Sequence, residues 1–319
     1  MVSPIDLVVL ETVLGFWLVV VLAILLKRYG VLAEEQSTLF SKLLTQIVAP
    51  AMIFVELAMH TIAPRQLLMV VVMFVSVLAT LLAAWAAGRA LRLPRPTIGA
   101  LIIVSTFGSS TLLGYPLVQY AFPGNPEAMT DAVLASGLGM GLPFFTLCPM
   151  IAMYFGSGSQ DKSSIKKTAT QYFRSPIFIA VVLGLATSPF SLNPRNPLVA
   201  PFTVALDMIS SAIPFLATFV LGLQLRLVSP RKILPLVVVS SVINMGLEPY
   251  LTYLQTGLYR LSTEQQEVLV LLSSMPSGPL GPVFATRFRS DGETASTIAF
   301  VNTVLGVIMV PLVFSVLIT

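Results

Sequence analysis

Apolar runs of about twenty residues, separated by short polar or Pro/Gly-rich stretches, recur from one end of the chain to the other. A helix rising ~1.5 Å per residue crosses a hydrocarbon layer of ~30 Å with one such run. Read between their punctuation, the runs predict ten helices, over residues 7–28, 37–60, 66–90, 97–121, 129–155, 173–188, 198–225, 232–258, 265–286 and 293–317. The sixth is the shortest and needs its flanks to complete a crossing. The pattern predicts an all-α polytopic membrane protein with the lipid as its solvent.

The basic residues test this count, because cytoplasmic loops collect Lys and Arg. One set of alternate connections holds Lys27, Arg28, Lys42, Arg89, Arg92, Arg95, Lys162, Lys166, Lys167, Arg174, Arg226, Arg231, Lys232, Arg287 and Arg289. The other set holds only Arg65, Arg195 and Arg260. A missed or invented helix in the middle would scramble this alternation. The asymmetry therefore predicts an even number of spans, a cell (inner or plasma) membrane location and both termini on the extracytoplasmic side. The connection 156–172, GSGSQDKSSIKKTATQY, is the longest and the only one rich in Ser, Gly and Lys. It divides the chain into a first five-helix repeat, 1–155, and a second, 173–319. An odd number of spans in each half turns the halves over relative to one another, the plan of an inverted repeat. Pro50 matches Pro214, and Gly114 matches Gly278, at one common offset of 164.

Composition narrows the classes further. The chain is 56% hydrophobic and 10% charged, with a mean hydropathy of +0.91, against roughly 25% charged for a soluble domain. The excess of 18 basic over 14 acidic residues lies in short loops and reports orientation, so no nucleic-acid partner is expected. A single Cys148 and a single His60 exclude a disulfide framework and a His/Cys metal cluster. The opening MVSPIDLVVLETVLG has no basic n-region and no small-residue cleavage pattern, and is expected to be the first span. A membrane-embedded enzyme would need a nucleophile and a base in a wet site, and no such pattern is present; neither a cofactor nor a metal is expected.

Two predicted spans are poor continuous helices: STFGSSTLLGYPLV, 105–118, and SSMPSGPLGPVFATRF, 273–288. Gly lowers helix stability, Pro removes a donor and clashes with the preceding turn, and the freed carbonyls cannot face lipid. Paired interrupted helices in corresponding places of two halves point to a transporter's binding site, because half-helix N-termini offer N–H groups and positive dipole ends to an anion. The candidate substrate-binding residues are Ser109, Ser110, Thr111, Gly114, Tyr115 and Pro116 in the first segment, with Ser274, Met275, Pro276, Ser277 and Gly278 in the second.

The stretch GSSTLLGYPL resembles the fourth-helix signature of the auxin efflux carrier family, and MPSGPLGPVFATRF resembles that family's ninth helix. IVAPAMIF around Pro50 and IPFLATFVLGLQL from Ile213 are similar to its second and seventh helices. The resemblance covers essentially the whole chain. It implies the ten-helix inverted-repeat fold shared with bile acid:sodium symporters. In that fold a scaffold domain and a core domain each draw on both repeats, and the broken fourth and ninth helices cross in the core. It also implies an elevator-type carrier of carboxylates and a dimer through the scaffold. The family's Asn falls here at Ser109 and its first Gly at Thr111, while Gly114 and Pro116 stay in register. An amide that would contact substrate is thus replaced by a hydroxyl.

Four acids fall inside or near apolar spans: Glu11, Glu56, Asp207 and Glu248. A lone carboxylate there is expensive unless protonated, paired or wet. Asp207 and Glu248 lie deepest and are the ion-coupling candidates. The ninth-helix break carries no acid, unlike that of the sodium symporters, so coupling to H⁺ is expected ahead of Na⁺. The expected function is secondary transport of a small organic anion, a carboxylate. The alternative is a ligand sensor built on a transporter fold.

Overall fold

The computed structural model describes residues 4–59, 67–114, 117–118, 121–156, 174–190, 197, 199–224 and 230–318. Among these the secondary structure is helical, apart from one isolated antiparallel bridge between Gly108 and Ser277. The first half contains α1 (Pro4–Arg28), α2 (Ser37–Leu43), α3 (Ala49–Ala58), α4 (Leu67–Ala90), α5 (Arg95–Thr106), α6 (Pro126–Leu134) and α7 (Leu142–Phe155). The second contains α8 (Pro176–Thr187), α9 (Ala200–Ser210), α10 (Ile213–Gln224), α11 (Pro230–Val242), α12 (Glu248–Leu258), α13 (Thr263–Ser273), α14 (Leu280–Arg287) and α15 (Gly292–Ile318). Wide π turns at Leu44–Val48, Ala135–Gly141 and Ile243–Leu247 join α2 to α3, α6 to α7 and α11 to α12 into continuous rods.

Among the described residues, five helical rods are long and apolar enough to cross a membrane: Ser37–Val55, Leu67–Ala90, Asp131–Phe155, Ile233–Leu258 and Gly292–Ile318. Their outward faces are apolar as well. Ile308 and Val316 on α15 are 70% and 72% exposed. In water such faces would form a large exposed patch; in a bilayer they meet hydrocarbon. The chain is therefore a multi-pass membrane protein. The expected seventh span differs in detail: it is interrupted at Ser211–Ala212 and resumes at Ile213, with Pro214 in its first turn, so that it forms α9 and α10. Proline has no amide hydrogen to continue the ladder and disfavours helical backbone in the residue before it.

Packing sorts the helices. α1 lies against α10, and α3 against α8 and α9. α4 packs on α5 and α12, α5 on α7 and α15, and α11 on α15. The main core cluster lies at these contacts and includes Met73, Leu101, Ile103, Phe107, Leu269 and Phe284.

Both Gly/Pro-rich segments are broken. Helix α5 stops at Thr106, and Phe107 turns to extended backbone at φ −107° and ψ 97° before a π turn resumes at Ser110–Gly114. Helix α13 stops at Ser273, and α14 starts at Leu280. The two breaks meet. Ser109 N donates to Pro276 O at 2.8 Å, and Gly278 N donates to Phe107 O at 3.2 Å. Backbone groups that helix ends leave open, and that lipid would not satisfy, are satisfied by the opposite break. These two bonds exchange with one another if residue 107 is matched to 276 and 109 to 278, a local two-fold relation at an offset of 169. The sequence match of Gly114 with Gly278, at 164, is thus not the register at the crossing.

Candidate functional site

The crossing forms one wall of a cavity. Ser109, Ser110 and Thr111 enter it from the first break and Gly278, Pro279 and Leu280 from the second. Each set begins a helical turn with its positive dipole end at the cavity. Ser109 N and Gly278 N are already bonded across the crossing and Pro279 has no N–H, so the backbone donors these six residues leave for a ligand are those of Ser110, Thr111 and Leu280. Met52 of α3, Met140 and Gly141 of the π turn, and Phe107, Phe144 and Phe145 complete the lining. The aromatic rings are fixed edge to face: Phe107 on Phe144 at 5.2 Å, Phe144 on Phe145 at 4.9 Å and Phe144 on Phe284 at 5.5 Å. Among the described residues no Lys, Arg, Asp or Glu lines the cavity.

Its hydroxyls are not equivalent. Ser110 and Ser136 share a hydrogen bond of 2.7 Å, Ser110 also donates to Met140 Sδ at 3.2 Å, and Thr111 shares a bond of 3.2 Å with Ser136. These contacts tie the first break to the π turn of Ala135–Gly141. Ser109 differs, since its Oγ is buried and has no partner in the protein. A buried hydroxyl without a partner is costly, which marks it as a group awaiting a ligand or water.

The remaining expected site residues face elsewhere. Ser277 Oγ donates to Val104 O and accepts from Asn302 Nδ2 at 2.7 Å, so it braces the crossing and does not line the cavity. Ser274 Oγ is bonded to Val270 O at 2.6 Å, and Pro276 packs against Gly306 of α15. Gly114 packs against Leu272 and Met275, behind the crossing. Tyr115, Pro116, His60 and the side chains of Glu11 and Glu56 lie outside the described residues. Asp207 is on an exposed face of α9, a helix that packs on α3, whereas Glu248 is fully buried.

Several residues that sequence reasoning passed over are central. Asn302, fully buried on α15, donates to Ser240 Oγ at 2.8 Å and to Ser277 Oγ, and its Oδ1 accepts from Ser241 Oγ at 2.8 Å. One amide thus ties α15, α11 and the second break together, and Ser277 extends the tie to α5. Asn244, also fully buried, lies beside Gly108. A signal was available, since each is an isolated amide in an apolar span, where a polar group persists only with partners or a function.

Apolar rods, two helices broken at the same depth and a cavity between their resumed turns define a membrane transport protein. The family's sequence model, described as membrane transport protein, matches residues 8–314, and the chain belongs to this family, that of the auxin efflux carriers. An uncharacterized transporter of Methanocaldococcus jannaschii is 25% identical over 311 residues, covering 95% of this chain and 97% of that protein. An uncharacterized transporter of Methanothermobacter thermautotrophicus is 27% identical over 306 residues, covering 95% and 96%. The family is one of transporters and not of enzymes.

Proposed function

We propose that this protein is a secondary active transporter of small organic anions, carboxylates above all, which it binds in the cavity at the crossing and moves across the cell membrane by an elevator-type motion. The observation that carries this reading is that both breaks present the first turn of a helix to one cavity, with the unpartnered hydroxyl of Ser109 among them. N–H dipoles in a site walled by Phe107, Phe144 and Phe145 act at low dielectric and hold a carboxylate without a fixed cation. The absence of Lys and Arg from the described lining accords with loose binding, which lets a carrier release its load.

The same reading takes the chain as ten spans in a five-plus-five inverted repeat, with both termini extracytoplasmic. The helices packed around α3 and α10 form the scaffold, and those packed around α5 and α15 form the moving core. The distribution of Lys and Arg supports the orientation, and the closer packing within each group than between them supports the division.

Thermal unfolding of the purified protein against a panel of mono- and dicarboxylates tests the proposal, because a ligand of the folded state raises its stability by mass action. A carboxylate should raise the midpoint of wild type and leave Ser109→Leu, which fills the cavity, unmoved. Equal shifts in both proteins would place the anion elsewhere.

A further inference from the structure

Glu248 lies in the middle of the rod Ile233–Leu258, at the end of the π turn Ile243–Leu247, and is fully buried. Its neighbour one turn earlier, Asn244, is fully buried as well. Asn244 Nδ2 donates to Glu248 Oε2 over a long 3.4 Å. Two acceptors are left over: Glu248 Oε1 and Asn244 Oδ1 have no hydrogen-bond partner. An amide oxygen cannot donate, and neither can an ionised carboxylate. One added proton satisfies both atoms. Carried on Glu248 Oε1, it turns that acceptor into a donor, the kind of partner Asn244 Oδ1 lacks.

Among the described residues no fixed charge is bonded to Glu248 in the proton's place. The elements packed against this turn are α4, α5 and α15, besides α11 and α12 themselves, and α13 packs on α12. Their described charged residues are Arg89 on α4, Arg95 on α5, Glu264 and Glu267 on α13, Glu293 on α15 and Arg231 and Lys232 on α11. Arg89, Arg95, Glu293, Arg231 and Lys232 stand in terminal turns, and Glu264 and Glu267 in the first two turns of α13. Among the described side chains, those of Arg89, Arg95, Glu264, Glu267 and Glu293 form no ion pair or hydrogen bond with Glu248.

The pair also touches the transport machinery. A methyl group on Gly108 would lie 3.6 Å from Asn244 Nδ2 and 2.5 Å from Met275 O, so Asn244 abuts the break itself. Gly108 and Ser109 line the cavity on the break's other side. We infer that Glu248 and Asn244 form a proton-binding site behind the crossing, which couples proton movement to anion movement. This inference rests on the carrier function proposed above. In each cycle the Glu248 carboxylate takes a proton from water on one face of the membrane, forming the Oε1–H bond. It returns that proton to water on the other face, where the bond breaks and the carboxylate is restored. A carboxylate in the cavity and an ionised Glu248 would place two negative charges on one buried core. Anion and proton therefore bind cooperatively, as in a symporter.

Two measurements decide the matter. The first is infrared spectroscopy of the purified protein at neutral pH in H₂O and D₂O, which needs no substrate. Wild type should show a protonated-carboxyl band that shifts in D₂O, is absent from Glu248→Gln and moves in Asn244→Leu. The near-isosteric Gln keeps the shape of the site, so loss of the band is not loss of the fold. Indistinguishable wild-type and Glu248→Gln spectra would overturn the inference. The second uses proteoliposomes with radiolabelled succinate or malonate, dicarboxylates that do not cross a bare bilayer. An outside-acid pH gradient should drive accumulation by wild type and not by Glu248→Gln. Accumulation unchanged in Glu248→Gln, or driven by a Na⁺ gradient in place of the pH gradient, would likewise overturn it. Failure of wild type to move either probe would count against the proposed carrier function, and the infrared band would still decide the proton site.

Discussion

At the scale of single residues, the crossing depends on what is missing from Gly108. Its backbone comes so close to Met275 O that a Cβ would sit 2.5 Å from that oxygen. Gly108→Ala must push the two breaks apart, an overpacking that costs about 1–3 kcal/mol. The substitution should lower the thermal midpoint and also abolish the carboxylate-induced shift, since the resumed turns no longer face one cavity. Ser109→Ala, by contrast, removes an unpartnered hydroxyl from the site. It should leave the unliganded protein as stable as wild type or slightly more so, while weakening carboxylate binding, as a titration of the thermal shift would show. The two variants separate holding the backbone from contacting the ligand. Ser109 was legible in the sequence because a Gly/Ser-rich stretch inside an apolar span has little other use. The orientation of Ser277 was not, because which face of a broken segment a side chain takes depends on the partner break.

At the scale of elements, the breaks were readable and their bracing was not. Gly and Pro punctuate local backbone, so residues 105–118 and 273–288 stand out from sequence alone. The brace is a long-range arrangement in which Asn302 reaches Ser240, Ser241 and Ser277, and a lone Asn in an apolar run does not announce its partners. The cavity's apolar wall was hidden for the same reason, since Met52, Phe144 and Phe145 look like ordinary core residues of their helices. Even the internal match was misleading, because Gly and Pro recur too often to set a register, and paired backbone bonds set it at the crossing. Asn302→Leu should be markedly destabilising. It strips two donors and an acceptor from a fully buried network, and each buried group left unmatched costs about 1–3 kcal/mol. Ser277→Ala removes one hydroxyl and should cost less. A double-mutant cycle on thermal or denaturant stability should show non-additive effects, since the two residues share one bond of 2.7 Å.

At the scale of the whole molecule, alternating access requires a defined orientation, and the orientation reading rests on charge. Lys and Arg gather on one set of connections because translocating them is opposed, so Lys42 and Arg289 are expected on the cytoplasmic side and the α12–α13 turn around Arg260 on the other. Lys42, Thr263 and Arg289 are exposed, so cysteines placed there report the compartment and not the packing. The native Cys148 is fully buried and is replaced by Ser to give a silent background. In intact cells a membrane-impermeant maleimide should label Thr263→Cys and leave Lys42→Cys and Arg289→Cys unlabelled until the membrane is opened. The reverse pattern would invert the molecule while keeping its even number of spans. Labelling of Lys42→Cys and Thr263→Cys from the same side would instead break the alternation and with it the ten-span reading. Thr263 and Arg289 flank the broken segment α13–α14, so opposite labelling of these two also shows that this interrupted helix crosses the membrane fully, as a carrier with its site at the midplane requires.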